Sequence, residues 1–150
     1  DADGERAILE LNRNEAKRSV ADEALFRPLD VLSQREVMAA RQEVLDLHLA
    51  EALQEYIVQV VISTRESERY GEDLEGQLQY GASPRATIAI DRCARAHAWL
   101  AGRDFVTPVD IQAVAHDVLR HRILLSFEAE AAGRTPDQIV DVLLSRVGVP

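Results

Sequence analysis

The sequence predicts an all-α bundle of five or so helices, because apolar residues recur at helical spacing through most of its 150 residues. Only seven glycines and five prolines interrupt the chain, which disfavours a loop-rich all-β fold. Several segments also place a helix-capping residue before proline, as helix starts do. At this length we expect a single domain over residues 1–150. A two-stranded ribbon between residues 29–32 and 122–125 is an optional addition.

The first half of the chain predicts three helices. A charged amphipathic helix is expected over residues 3–17, and residues 19–32, which lose the helical period, are expected to form a linker. Ser33 and Glu36 have the spacing of a capping box and start a second helix, with a stripe of Val37, Ala40, Val44 and Leu47. A break near His48 precedes a third helix. Its stripe consists of Leu49, Leu53, Tyr56, Ile57, Val60 and Val61.

The second half predicts a polar loop and three more helices. Residues 66–80 are acidic and are expected to form a solvated, mobile loop. A helix follows from Pro84 to Leu100, and Gly102 is expected to stop it. Thr107-Pro108 and Thr135-Pro136 each combine a cap with proline and start further helices. The apolar stripes expected on these two helices are Ile111, Val114, Ala115 and Val118 on the first, and Ile139, Val140, Leu143, Leu144 and Val147 on the second. The apolar arc expected on the helix from Pro84 consists of Ala86, Ala89, Ile90, Cys93, Ala96, His97 and Leu100.

Charge and composition exclude several functional classes. The chain carries 26 acidic and 17 basic residues, a net charge of −9, which disfavours binding to nucleic acid. No apolar run reaches membrane-spanning length. A single cysteine, Cys93, cannot form an intrachain disulfide and suits a reducing compartment, so a cytoplasmic location is expected. The chain begins at Asp1 directly on a helical pattern, which suggests that it is part of a longer protein.

The most informative motif is the turn into the helix that starts at Pro84. It reads Gly81-Ala82-Ser83-Pro84-Arg85-Ala86. Gly81 can adopt backbone angles that other residues resist, Ser83 suits the N-cap, and Pro84 suits the first helical position. Arg85 then lies in the first turn, where N–H groups and the helix dipole favour an anion. Because a guanidinium is permanently charged and forked, this corner is suited to a phosphate group.

Each arginine near this corner also has a plainer interpretation. An arginine near a helix start is often only a surface ion-pair partner, and Arg85 is open to that interpretation. Arg92 is either a second contact to the same ligand or half of an ion pair with a nearby acid. Arg65 is interpreted as a basic residue at a helix C-terminus, where it favours the dipole.

The sequence offers few residues for catalysis. The glycine-rich Walker A motif is absent, and so is a strand followed by paired acids that would hold Mg²⁺. No two of the four histidines stand four residues apart, which disfavours a zinc site. Cys93 and His97 are expected to be buried on the apolar arc, and His116 is expected to be solvated.

Several separate motifs together resemble the C-terminal helical lid domain of the MoxR family of AAA+ ATPases. The resemblance covers nearly the whole chain, and Glu5-Arg6-Ala7-Ile8-Leu9 is similar to the first lid helix. The motifs are Tyr56-Ile57-Val58, Thr64-Arg65, Gly81 to Ala86, Ala101-Gly102-Arg103-Asp104-Phe105-Val106-Thr107-Pro108-Val109-Asp110-Ile111, Val118-Leu119-Arg120-His121-Arg122-Ile123 and Gly133-Arg134-Thr135-Pro136-Asp137.

This resemblance implies that Arg85 is the sensor 2 arginine, which reaches the γ-phosphate of ATP held by a preceding α/β core. It further implies ATP and Mg²⁺ in the parent protein, none held by these residues alone, and no ATP hydrolysis by this chain by itself. The implied partners are the core, a neighbouring subunit of a hexameric ring and a von Willebrand factor A-domain protein, in a chaperone-like role. The residues implied to support nucleotide binding are Gly81, Ala82, Ser83, Pro84 and Arg92.

The sequence departs from the family pattern at Ala50, Thr87 and Val109, none of which alters Arg85. Residues 66–80 are the least family-like part and are expected to serve a specific partner. A function of another class also remains open at this point. It is a free-standing helical interaction module without a nucleotide role, which would hold a partner through its acidic face or an apolar edge at Tyr56 and Val60.

Overall fold

The computed structural model describes residues 2–21 and 32–150, so most of the predicted linker lies outside the described residues. Two compact units are present, one within residues 2–38 and the other over residues 39–150. The described elements, in chain order, are α1 (Ala2–Ala21), α2 (Gln34–Asp46), α3 (Glu51–Ser63), β1 (Leu78–Tyr80), α4 (Pro84–Leu100), α5 (Pro108–Leu119), β2 (Leu124–Leu125), α6 (Phe127–Ala131) and α7 (Pro136–Arg146). The predicted all-α class is confirmed.

The first unit contains α1 and the start of α2. The predicted capping box is present, since the Ser33 N–H donates to Glu36 Oε2 at 2.7 Å and the Glu36 N–H donates to Ser33 Oγ at 3.3 Å. The Ser33 hydroxyl also donates to Glu36 Oε2 at 2.7 Å, and this bond, together with that from the Ser33 N–H, holds the pKa of the Glu36 carboxyl below its usual value. No residue of α2 is buried, so its predicted apolar stripe reaches the core only at Leu47, just after the helix ends.

The core of the second unit is built from α3, α4, α5 and α7. All six apolar residues predicted for the stripe of α3 are buried. The stripe of α7 is confirmed by buried Ile139, Val140 and Leu143, and α5 contributes Ile111, Ala115 and Val118. Fully burying one such side chain stabilises a protein by about 1.5–3 kcal/mol for the larger aliphatics. Hydrophobic periodicity thus located these three helices and their inward faces correctly.

The buried face of α4 differs from the predicted arc. Its buried residues are spaced four apart along the helix: Ala86, Ile90, Ala94 and Ala98. Cys93 and His97 are exposed, and Leu100 is 77% exposed, so their predicted burial is wrong. Alanines occur on several sides of this helix, so the sequence pattern alone did not single out one face. A row at every fourth position is the ridge that packs into the grooves of a neighbouring helix.

Residues 66–80 are folded, so the expected solvated loop is wrong for this segment. It contains two short 3₁₀ turns (Ser67–Tyr70 and Glu72–Leu74), and the Leu74 side chain is only 1% exposed. Arg146 donates to both carboxylate oxygens of Asp73, at 2.6 and 2.9 Å, and to the Tyr70 carbonyl. This bidentate contact lowers the pKa of the Asp73 carboxyl. An anchored leucine and an arginine from α7 therefore hold the acidic segment to the bundle.

A two-stranded ribbon forms, but with a different first strand from the one predicted. β1 pairs antiparallel with β2, with Leu78 opposite Leu125 and Tyr80 opposite Leu124. The strand expected over residues 122–125 is therefore present at its C-terminal end. The predicted partner over 29–32 lies almost wholly outside the described residues, and among the described residues β2 pairs with residues 78–80. Since β1 is short and polar on one side, its pattern did not predict a strand.

A buried carboxylate joins the end of α4 to the start of α5. Asp110 is fully buried and accepts two hydrogen bonds from Arg103, at 2.5 and 2.6 Å. It also accepts from the Thr107 N–H at 2.8 Å in the capping box, and His97 Nδ1 lies 2.7 Å away. These partners, Arg103 foremost, hold the pKa of the Asp110 carboxyl far below its usual range.

Replacing Asp110 by Asn should destabilise the protein in a pH-dependent way. We expect a loss of roughly 2–4 kcal/mol near neutral pH, because Arg103 and His97 lose a charged acceptor. The folded pKa lies far below the unfolded value of about 3.9, so the wild-type advantage is full above about pH 5, declines as pH falls below about 4 and is lost only as pH falls through the folded pKa. Urea unfolding of both proteins at about pH 7, 5 and 3 measures this gap.

The matched control is Asp117→Asn on the same helix. Its carboxylate is exposed and pairs with Arg120 at 3.2 Å, so the expected loss is under about 1 kcal/mol. A gap between wild type and Asp110→Asn that stays constant from neutral to acidic pH would contradict the proposed charge of Asp110.

Candidate functional site

The candidate site is the start of α4, which begins as the sequence predicted. Ser83 occupies the N-cap with extended backbone angles (φ −78°, ψ 169°), and Pro84 is the first helical residue. The Ser83 hydroxyl accepts no capping hydrogen bond, however. The Ser83 carbonyl accepts instead from the Ala86 N–H at 2.8 Å, which tightens the first turn. The position of the cap is thus confirmed, whereas its expected side-chain contact is absent.

The turn before α4 is fixed by the C-terminal end of α3. The Ala82 N–H donates to Thr64 Oγ1 at 2.8 Å, and Arg65 Nε donates to the Ala82 carbonyl at 2.6 Å. Ala82 is fully buried and Thr64 is nearly so. Both polar backbone groups of Ala82 are therefore satisfied by two consecutive side chains, and the turn has no unpaired buried group there. We call these two hydrogen bonds the α3–α4 clamp.

Gly81 is required for a reason other than the predicted one. Its φ is not among the positive values, which belong to Gly71, Gly76, Gly102 and Gly133. A Cβ at Gly81 would instead lie 2.3 Å from the Thr64 carbonyl oxygen and 2.7 Å from the Arg65 nitrogen. Those are backbone atoms, so a larger residue would push the two segments apart. Glycine permits the close approach on which the α3–α4 clamp depends.

Arg85 projects from this fixed turn without a partner among the described residues. The residue is exposed, and no other described residue forms a hydrogen bond or ion pair with it. The first turn of α4 contains no acidic residue. On the same helix Arg95 does pair with Asp91, at 2.9 Å. The surface ion-pair interpretation of Arg85 is therefore wrong within the described part of the chain.

Arg92 shares the side of α4 on which Arg85 lies. The two are seven residues apart, which places them about 10 Å from each other along the helix axis. Arg92 is exposed and has no ion-pair partner among residues 2–21 and 32–150. Ile88, between them, is 54% exposed. This face of α4 thus presents two unneutralised guanidinium groups beside an apolar side chain, a surface suited to an anion with an apolar neighbour.

Comparison with known proteins identifies the fold. Residues 72–143 match the family model of the AAA lid domain. The chain is 36% identical over 121 residues to Chaperone MoxR1 of Mycobacterium tuberculosis, covering 80% of this chain and 32% of that protein. It is 34% identical over 110 residues to Protein MoxR of Paracoccus denitrificans, covering 69% and 32%. The crystal structure of a proposed ATPase from Cytophaga hutchinsonii superposes with a TM-score of 0.79 at 37% identity, over 92% of this chain and 42% of that one.

Residues 72–143 are an AAA lid domain, and the chain is similar to MoxR proteins over most of its length. It spans about a third of the length of the curated relatives named here. The resemblance inferred from the motifs is confirmed, and so is the bundle that it implied. The lid domain contains no helix, among the described residues, that is long and apolar enough to cross a membrane.

Two histidines outside the start of α4 form contacts within the fold. His97, predicted to be in the core, is exposed and lies against Asp110. His116, predicted to be solvated, is half-buried, and its Nε2 lies 2.8 Å from Asp141 Oδ1, which joins α5 to α7. Within the described ranges no group of three or more histidine, cysteine or acidic side chains is arranged to hold a metal ion.

Sequence reasoning overlooked Thr64, and it misassigned Arg65. Arg65 was interpreted as a charge that favours the dipole of α3, yet its Nε reaches the turn before α4. The Thr64 hydroxyl donates to the Val61 carbonyl at 2.7 Å and accepts from Ala82, so both of its capacities are used. The only signal in the sequence was the Thr64-Arg65 dipeptide among the resemblance motifs. Its partner is seventeen or eighteen residues away, beyond the reach of local patterns.

Replacing Ser83 by Ala should barely change the stability of the lid domain. The hydroxyl caps nothing, so we expect a change of less than about 0.5 kcal/mol in the free energy of unfolding. Ser126→Ala is the matched control, because the Ser126 hydroxyl accepts from the Ala129 N–H at 3.1 Å at the start of α6. Its expected cost is about 1 kcal/mol. Urea unfolding measures the free energy of unfolding of both variants. An equal loss at Ser83 and at Ser126 would contradict the conclusion that the Ser83 hydroxyl forms no capping hydrogen bond.

Proposed function

We propose that this lid domain is part of an ATP-hydrolysing AAA+ protein and that Arg85 is its sensor 2 arginine, which contacts the γ-phosphate of ATP. The observation that carries the proposal is the exposed guanidinium at the start of α4, which has no ion-pair partner in the described part of the chain and follows a turn that is fixed on both sides. Such an arginine is oriented for a ligand outside the lid domain. Membership of the AAA+ lid domains supports a nucleotide as that ligand.

The local geometry supports an anion contact made mostly by the Arg85 side chain rather than by the backbone. Pro84 has no N–H, and the Ala86 N–H is already bonded to the Ser83 carbonyl. Two donors that a helix start offers to an anion are therefore absent or used. The guanidinium of Arg85 supplies charge-assisted donors instead, and Arg92 is proposed as a weaker second contact farther along the helix. Gly81 and Ala82 support the site by fixing the turn.

The proposed chemistry follows from charge. During phosphoryl transfer, negative charge shifts over the oxygens of the γ-phosphate, and a positioned guanidinium stabilises it. After hydrolysis Arg85 loses that partner, which would allow the lid to rotate as a rigid body. The Walker A loop and the residues that hold Mg²⁺ are proposed to lie in a separate α/β core. Binding and hydrolysis of ATP therefore need residues beyond these 150.

The wider role is proposed from the relatives. One of them is described as a chaperone, so we propose a chaperone-like role in remodelling or maturing other protein complexes. We further propose a cytoplasmic hexamer in which the lid contacts its own core and a neighbouring subunit, and a von Willebrand factor A-domain protein as partner.

The rival function, a free-standing interaction module, was expected to use an apolar edge at Tyr56 and Val60, but that edge is not available on the surface. Tyr56 and Val60 are both buried in the core.

Replacing Arg85 by Ala in the full-length protein should lower ATP hydrolysis by roughly 10²-fold or more, because a charge-assisted contact to the transition state is lost. The melting temperature should stay close to wild type, since the exposed side chain forms no hydrogen bond or ion pair with other described residues. Steady-state hydrolysis and thermal unfolding measure the two effects. The control is Arg134→Ala, an exposed arginine in the turn before α7, which should hydrolyse ATP normally. Wild-type hydrolysis by Arg85→Ala would make Arg85 merely a surface charge.

The isolated chain of residues 1–150 should show no Mg²⁺-dependent ATP hydrolysis. It supplies the sensor arginine but, on this proposal, neither the phosphate-binding loop nor the metal ligands. Phosphate release by the purified chain, compared with the full-length protein at equal concentration, measures this. Hydrolysis that persists after further purification and disappears in Arg85→Ala would place a complete site within the chain and contradict the proposal.

A further inference from the structure

We propose that Thr64 and Arg65 are positioning residues for Arg85, so that hydrolysis depends on the α3–α4 clamp as well as on the guanidinium. This inference rests on the proposed function of Arg85. It assigns a role in the reaction to two side chains that lie at the end of another helix and contact the turn before α4. Its physical basis is that the clamp holds Ala82, and Arg85 follows only three residues later in the chain.

The clamp is the polar contact that fixes where α4 begins. The Ser83 hydroxyl forms no cap, so it does not orient the first turn. Ala82 has both backbone groups bonded to Thr64 and Arg65, and it is fully buried. Without the Thr64 hydroxyl, the Ala82 N–H would be buried without a partner, and the turn would move to satisfy it. Pro84 has a fixed φ, so such a shift would be passed on to Arg85.

The close contact at Gly81 makes the clamp stiff. The space for a Cβ at Gly81 is already occupied by the backbone of Thr64 and Arg65. The turn therefore cannot move towards α3, and the two hydrogen bonds oppose its movement away. A catalytic group displaced by about 1 Å can lose on the order of 10²-fold in rate. A clamp stiff in both directions keeps the Arg85 guanidinium within such limits.

The clamp also couples the movements of two helices. Any displacement of the start of α4 when Arg85 gains or loses a phosphate must be shared by the end of α3, because the two ends are bonded to each other. α3 contains 13 residues and so extends about 20 Å from this point. The sensor would thus move α3 together with α4 rather than bend a flexible loop.

The test uses the full-length ATPase and a double-mutant cycle. Thr64→Val removes the hydroxyl at nearly constant shape and should lower kcat by roughly 10–100-fold, with a smaller change in KM for ATP. Thr64→Ser keeps the hydroxyl and should stay close to wild type. In an Arg85→Ala background, Thr64→Val should cause no further loss, because it acts through Arg85. All assays are run below the melting temperature of the least stable variant.

Ser63→Ala is the matched control. The Ser63 hydroxyl is equally buried at the same helix end, but it donates only to the Val60 carbonyl within α3, at 2.8 Å. Its loss should leave hydrolysis unchanged. If Thr64→Val does not fold, Arg65→Met carries the same test, since that side chain is more exposed and its removal disturbs the core less.

Three results would overturn the inference. Wild-type hydrolysis by a folded Thr64→Val would exclude a positioning role while leaving the role of Arg85 intact. A loss from Thr64→Val that persists in full without Arg85 would show that Thr64 acts elsewhere. Wild-type hydrolysis by Arg85→Ala alone would contradict both this inference and the proposed function. Because that variant is measured without any change at Thr64, this result can be told apart from the first two.

Discussion

The rest of the site depends on the contact between the end of α3 and the turn before α4. Thr64 and Arg65 occupy both backbone groups of Ala82, and glycine at position 81 lets the two segments approach closely. Because the Ala82 N–H and the Thr64 hydroxyl are buried, a hydrogen bond lost between them is not readily replaced by one to water. We propose that this contact sets the direction in which α4 leaves the turn, and with it the position of Arg85.

α4 is held at both ends by polar groups and along its length by small side chains. The clamp fixes its start, and the buried carboxylate of Asp110 ties its last turns to α5 through Arg103 and His97. Between these ends, three of its four buried residues are alanines, which allow close helix packing. A helix fixed in this way moves as one body, so the exposed arginines on its outer side keep a constant spacing.

The helices and their starts could largely be predicted, because capping boxes and prolines act over a few residues. Thr107 with Asp110, and Thr135 with Gln138, form the expected starts of α5 and α7. The inward face of α4 could not be predicted, since alanine is compatible with either side of a helix. The pairing of β2 with residues 78–80 was not predicted, because Leu78 and Leu125 lie far apart in sequence. The folding of residues 66–80 was missed because it depends on the burial of Leu74 and on the distant contact between Arg146 and Asp73.

The sequence by itself determined the all-α class, the start of α4 and the placement of an arginine in its first turn. These follow from periodicity and local backbone preferences, which need no distant partner. Only the tertiary structure decided that Arg85 has no partner among the described residues, that Ser83 does not cap, and that Thr64 and Arg65 hold the turn. The physical reason is that hydrogen bonds and close contacts between segments seventeen or more residues apart form only when the chain has packed.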